Sequence, residues 1–272
     1  MSSKGKILII GSSAETLELK DGRKEAVGVY LNELAVPAQA FVDAGYDVVL
    51  ATPKGGPPLV DKNSLDVSHF GGSAEALQQA LRFTATNPGI RHPLTIRSVI
   101  DQGLENYVAV FVPGGHPPMA DLMQDPDLGE VLRYFHEAAK PTALLCHGPT
   151  AVTAAMPKAR EFRQALVDGD MEVARTAAQG WQYAGYRMTV FSNDEEHYVE
   201  EKLMGGSKVP FYVVNALETA GGTVVTKAFF QPNVVEDREL ITGQNPPSDH
   251  AIAAALLKAL GRYEALASAS AA

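Results

Sequence analysis

Among 272 residues there is one cysteine, Cys146, and one tryptophan, Trp181. A lone cysteine excludes an internal disulfide and any cysteine-rich zinc site. It is either an inert buried thiol or a working one, and the habit of free cysteines to fill cores favours the inert reading on composition alone. Lys and Arg never run beyond two in a row, and the formal charge is −9. The clustered positive surface that grips a phosphate backbone is therefore missing, which argues against nucleic acid and for small-molecule partners. The first apolar run, Ile7 to Ile10, stops at Gly11, too short for a signal core or a membrane span. The expectation is a cytoplasmic protein without membrane contact. Neither G-x-x-x-x-G-K-[ST] nor G-x-G-x-x-G occurs, so nucleotide binding has no motif.

What is present is an alternation of strands and helices. Lys6–Ile10 reads as a buried, central strand. A helical spacing follows over Tyr30–Ala44, interrupted by Pro37 and closed by Gly45, and then a strand over Tyr46–Ala51. The pattern recurs as strand Tyr107–Val112, helix Pro126–Ala139, strand Pro141–Leu145 and a helix from Pro149 to Met156. Arg187–Phe191 reads as another strand, followed by helices near Glu195–Leu203 and Tyr212–Ala220, strands at Thr223–Ala228 and Leu240–Ile241, and a closing helix over Asp249–Leu260 with a frayed tail. This predicts an α/β fold with a mostly parallel, doubly wound sheet. One domain over 1–272 is expected. It carries insertions near 57–100, where only Ser73–Leu81 reads as helix, and near 157–186. Trp181, Tyr183 and Tyr186 end the second insertion, either as staples of a surface helix pair or as part of a cover over a cleft.

Cys146 closes an apolar strand and is followed by His147-Gly148-Pro149, a strand–turn–helix elbow. Beyond the carboxyl ends of parallel strands such a thiol faces a ligand crevice, and a helix N-terminus behind it lowers its pKa. The His147 amide is placed to stabilise an oxyanion. The turn Pro113-Gly114-Gly115-His116 after the neighbouring strand can supply a second donor, for which Gly115 is the choice, with Gly114 and His116 lining the pocket. Glu33 lies near the apolar stripe of its helix. His69, His92, His136, His197 and His250 have no ligand spacing, and no metal site is assigned.

Three separated motifs, Leu31-Asn-Glu-Leu-Ala-Val-Pro37, Pro113-Gly-Gly-His-Pro-Pro-Met119 and Ala143-Leu-Leu-Cys-His-Gly-Pro149, together with Leu240-Ile-Thr-Gly-Gln-Asn-Pro-Pro-Ser248, resemble the ThiJ/PfpI superfamily. The resemblance implies a three-layer α/β/α sandwich with a flavodoxin-like sheet, of the class I glutamine amidotransferase-like type. With Phe191-Ser-Asn-Asp-Glu-Glu196 it is most similar to the glyoxalase III and heat-shock chaperone (protein deglycase) branch. There a Cys-His-Glu triad would comprise Cys146, His147 and Glu196, with Glu195 and Asp194 as alternatives for the acid. Glu33 would be a protonated carboxyl against the sulfur.

The same resemblance implies a cofactor-free lyase that converts methylglyoxal or another small α-oxoaldehyde to a 2-hydroxy acid without glutathione, and a homodimer. Three other readings use the same thiol. They are a cysteine-dependent amidase or peptidase, a stress-response redox sensor or chaperone with an oxidisable Cys146, and a glutaminase subunit. The last ranks lowest because its histidine lies far downstream of the cysteine.

Overall fold

The computed structural model describes residues 3–270, with side chains described through Ala265. Strand β1 (Lys6–Ile10) leads through a small antiparallel ribbon, β2 (Thr16–Glu18) with β3 (Lys24–Ala26), to helix α1 (Leu31–Asp43) and β4 (Asp47–Thr52). Helices α2 (Ala74–Thr86) and α3 (Pro88–Arg91), strand β5 (Leu94–Thr95) and helix α4 (Ile96–Asp101) precede β6 (Tyr107–Val112), α5 (Pro126–Glu137) and β7 (Thr142–Leu145). A 3₁₀ segment over Gly148–Ala155 is followed by α6 (Ala159–Asp168), α7 (Met171–Ala177), β8 (Arg187–Met188), α8 (Asn193–Lys202), α9 (Val213–Thr219) and β9 (Thr223–Val224). The hairpin β10 (Val234–Asp237) with β11 (Leu240–Gly243) and helix α10 (Asp249–Ser270) complete the described chain.

Among the described residues one sheet has seven strands, ordered β10-β11-β7-β6-β1-β4-β5. Every neighbouring pair is parallel except β10 with β11. Ile7, Leu8, Ile9 and Ile10 are all fully buried, as expected for a strand covered on both faces, which is why its sequence is continuously apolar instead of alternating. Helix α1 packs with α10, and α5 with α4 and the Gly148–Ala155 segment, giving a helical layer on each side of the sheet. The chain passes from β1 through α1 to β4, then returns to the other side of β1 as β6. This reversal opens a crevice beyond the carboxyl ends of β1 and β6.

Several elements differ from the sequence reading. Residues 57–100 are more than an insertion around one helix, because β5 extends the sheet edge by pairing Leu94 and Thr95 with Ala51 and Thr52. Two residues carry no periodicity, so this strand had no signal. Only Arg187–Met188 of the expected strand at 187–191 is extended, and it pairs with β9 outside the main sheet. The remainder is held by local bonds: Thr189 N–H donates to the Thr242 hydroxyl and Phe191 N–H to the Cys146 carbonyl. The segment after Cys146 is 3₁₀ and begins at Gly148.

Helix α10 continues to Ser270 through most of the tail expected to fray, and residues 271 and 272 lie outside the described residues. Trp181, Tyr183 and Tyr186 are buried and pack edge to face, with Trp181 Nε1–H donating to the Val152 carbonyl at 2.9 Å. They pin the 157–186 helix pair to the core and do not cover the crevice. No helix among the described residues is long and apolar enough to cross a membrane.

Candidate active site

β7 is buried throughout, and Cys146 follows it directly with φ of 61°. A non-glycine residue in the left-handed region carries a cost of about 1 kcal/mol or more, and the surroundings must enforce it. Here the Cys146 N–H donates to the Gly243 carbonyl at 2.9 Å, and its own carbonyl accepts from Phe191 N–H at 3.0 Å. The elbow is thus locked from both sides, with the thiol at the floor of the crevice.

Glu33 reaches the thiol from the first turn of α1. The carboxyl is fully buried. Its Oε2 accepts from Gly114 N–H at 2.9 Å, while Oε1 has no hydrogen-bond partner. Burial pushes the carboxyl up to about 8, overriding the lowering effects of its bonds with the Cys146 thiol and the Gly114 amide. Burial, then the charge of Glu33, push the thiol well above its ordinary range, partly offset by the Gly115 N–H directed at the sulfur. The lowering anticipated from a helix N-terminus is outweighed because the thiol is buried and the following segment is not an α-helix. Both groups are therefore driven toward their protonated forms.

On the other side of the thiol, Cys146 Sγ lies 3.4 Å from His147 Nδ1, and His147 Nε2 lies 2.6 Å from Glu196 Oε2. The second Glu196 oxygen contacts His116 Nε2 at 2.7 Å. Burial alone would raise Glu196, but the two imidazoles outweigh it and hold the carboxyl well below the usual carboxylate range. Burial lowers His116, yet the Glu196 carboxylate outweighs it and the net shift is upward. Burial and the neighbouring His116 lower His147. His116, His147 and Glu196 each offer one ligand atom, all within 4.8 Å of one another. Two imidazoles and a carboxylate are a donor set able to hold a transition metal. In this structure those atoms pair with one another.

The geometry separates the three candidate acids. Asp194 is exposed. Glu195 is buried but turned away from His147: it accepts from the Ser192 N–H and hydroxyl in a capping box and from Phe230 N–H, Asn245 Nδ2 and Gln244 Nε2. Glu196 alone of the three contacts His147. Replacing Glu195 by Ala is expected to lower stability by at least about 2 kcal/mol through these orphaned donors, read as a shift in the urea midpoint.

Gly114 and Gly115 are required by close approach. A Cβ on Gly114 would sit 2.5 Å from both Cys146 Cβ and Glu33 Oε2. Gly115 has φ of 81°, and a Cβ there would meet the Gly28 carbonyl oxygen at 2.1 Å. Gly114→Ala is expected to destabilise the protein by about 1–3 kcal/mol and to push Glu33 away from the thiol, seen as a lower melting temperature and an altered pH profile of Cys146 alkylation.

With this arrangement in place, comparison with known proteins is decisive at the family level: a family model described as ThiJ/PfpI family-like matches residues 25–208. The chain belongs to that family. The match includes Glu33, Gly114, Gly115, His116, Cys146, His147 and Glu196, whereas β10, β11 and α10 lie beyond it. The chain is 25% identical over 246 residues to a protein/nucleic acid deglycase HchA of Pseudomonas aeruginosa, covering 89% of this chain and 76% of that protein. It is 24% identical over 248 residues to the HchA of a Staphylococcus aureus strain, covering 89% and 75%. Among solved structures, glyoxalase III from Candida albicans aligns with a TM-score of 0.65 at 21% identity, over 95% of this chain and 98% of that one. The Rapid Encystment Protein of Francisella tularensis aligns at 0.68 and 21%, over 94% and 99%. These alignments show a shared flavodoxin-like fold.

In this ThiJ/PfpI chain, what sequence reasoning missed is the contact between His116 and Glu196. Eighty positions separate them and no spacing rule connects them; only the folding of α8 over the Pro113–His116 turn brings them together. The aromatic residues above the thiol were missed as well. The crevice is a cavity of about 790 Å³ that includes Cys146, His147, His116, Gly115, Phe191, Tyr198, Phe229 and Phe230 in its lining. A second cavity of about 650 Å³, between α1, α2 and the start of α10, shares Ser68, His69, Pro246 and Pro247 with the first but does not reach Cys146.

Proposed function

We propose that this protein is a cofactor-free, cysteine-dependent enzyme of the glyoxalase III/deglycase type, which converts a small α-oxoaldehyde to a 2-hydroxy acid without glutathione. The observation that carries the reading is Glu33. A hydrolase of the Cys-His-acid kind needs a nucleophile, a base and an orienting carboxylate, here Cys146, His147 and Glu196. A further buried carboxyl with its pKa near 8, lying against the sulfur, is surplus to that scheme. It is the group required to move a proton between adjacent carbons. The deglycase names of the HchA relatives support an enzyme of this kind.

In the proposed sequence the Cys146 thiol gives its proton to His147, 3.4 Å away, as the sulfur adds to the aldehyde carbon, and the Glu33 carboxyl passes its own proton to the carbonyl oxygen, giving a hemithioacetal. The Gly115 and His147 amides hold the developing oxyanion. Glu33, now a carboxylate, takes the hydrogen from the former aldehyde carbon while the His147 imidazolium protonates the ketone oxygen, giving an enediol. Glu33 then returns its proton to the former ketone carbon and takes up the proton of the hydroxyl beside the sulfur, leaving a thioester on Cys146 and both side chains as they began. Water, activated through His147 and Glu196, hydrolyses the thioester to the 2-hydroxy acid and restores the thiol. The net reaction is addition of one water, with no oxidant or reductant. The test is lactate formation from methylglyoxal in glutathione-free, metal-free buffer, beside release from a panel of amide substrates. Lactate formation supports the reading. Amide turnover without lactate removes it in favour of hydrolysis.

A further inference from the structure

The cavity above Cys146 is far larger than methylglyoxal needs, and its wall is ordered. From the imidazole outward, His147 lies tilted against Phe191 at 4.6 Å between ring centroids, Phe191 meets Phe230 edge to face at 6.1 Å, and Phe230 meets Phe229 edge to face at 4.6 Å. Tyr198 closes the series against Phe229 at 5.3 Å. The rings thus form a continuous aromatic wall from the reacting centre to the mouth.

Two further observations separate this wall from ordinary surface apolarity. Phe230 is held in the left-handed region, φ of 50°, by its N–H bond to the buried Glu195, so a strained backbone position is maintained to present it. Nine large apolar side chains among the described residues face solvent, and four of them, Leu65, Tyr198, Leu203 and Phe229, line this one cavity. Tyr198 and Phe229 are 44% and 46% exposed. Solvent-facing rings concentrated at one mouth mark a place where a ligand removes them from water.

We infer that the site is built for α-oxoaldehydes whose ketone carbon carries an aromatic ring, with the ring held edge to face against Phe229, Phe230 and Tyr198 while the aldehyde reaches Cys146. This rests on the glyoxalase reading and narrows its substrate class. A methyl substituent would leave the wall wet, whereas a phenyl group can cover it. Several edge-to-face ring contacts are available to a phenyl group and none to a methyl group, so a selectivity of about tenfold or more is expected.

The experiment compares kcat/KM for phenylglyoxal and methylglyoxal in the wild type, Phe229→Ala and Tyr198→Ala. The expected result is a wild-type ratio of about ten or more, with a several-fold drop of that ratio in each variant, carried by KM for phenylglyoxal. A wild-type ratio of one or less, or a ratio unchanged in both variants, overturns the inference while leaving the glyoxalase reading intact. Turnover of neither aldehyde overturns the glyoxalase reading. The wall is tested independently of chemistry by calorimetric binding of mandelate and lactate to Cys146→Ala: tighter mandelate binding that is lost on adding Phe229→Ala supports it, and equal binding of the two acids overturns it.

Discussion

Cys146→Ser is expected to abolish turnover of α-oxoaldehydes, by about 10⁴-fold or more, the scale on which removal of a nucleophile acts. A hydroxyl at this position is a far poorer nucleophile than sulfur, and nothing nearby replaces it, because Cys146 is the only cysteine in the chain. The substitution is nearly isosteric. The backbone bonds that lock the elbow involve the Cys146 N–H and carbonyl with Gly243 and Phe191, so they survive it. The melting temperature should stay within a few degrees of wild type while both lactate formation and labelling by iodoacetamide vanish. Loss of activity with a collapsed melting transition would instead point to misfolding.

Glu33→Gln is expected to reduce turnover by about 10²–10⁴-fold, the usual contribution of a positioned acid–base group. It should also make the protein more stable at neutral pH. The sign follows from the raised carboxyl. In the unfolded chain Glu33 ionises near 4.5, and in the folded state only near 8, so between these values the folded state retains a proton that the unfolded state has lost. Folding is then opposed increasingly as pH rises from about 4.5 to 8. At pH 7 the opposition amounts to at most about 3 kcal/mol. Gln cannot ionise and retains an oxygen able to accept from Gly114 N–H. Its stability advantage should be greatest near pH 8 and fade toward pH 4.5, as measured by urea midpoints across that range. An advantage that grows toward acid pH would show that Glu33 is not held in its neutral form.

Much of this arrangement was legible in the sequence because the central strands are uniformly apolar and their turns are distinctive. β1 and β6 have the expected bounds, and the Pro113–His116 and Cys146–Pro149 turns lie side by side beyond β6 and β7. What was illegible depended on contacts between distant segments. The upward shift of the thiol comes from burial and from a glutamate 113 positions away, neither of which local spacing records. The assignment between Glu195 and Glu196 turns on the helical rotation of α8, which points one side chain at Phe230 and Asn245 and the next at two imidazoles. Phe229 and Phe230 lie in an irregular loop between β9 and β10, where no periodicity marks a binding wall.

The measurement that most directly tests the partnership of Cys146 and Glu33 is the rate of D-lactate formation from methylglyoxal, without glutathione or added metal. It is made on wild type and Glu33→Gln, with Cys146 alkylation followed on the same preparations. The account predicts lactate from the wild type and a loss of about 10²-fold or more in the variant, whose thiol still reacts with the alkylating agent. Lactate formed by Glu33→Gln at a rate within a few-fold of wild type, or none formed by a wild type whose thiol is reactive, would contradict it.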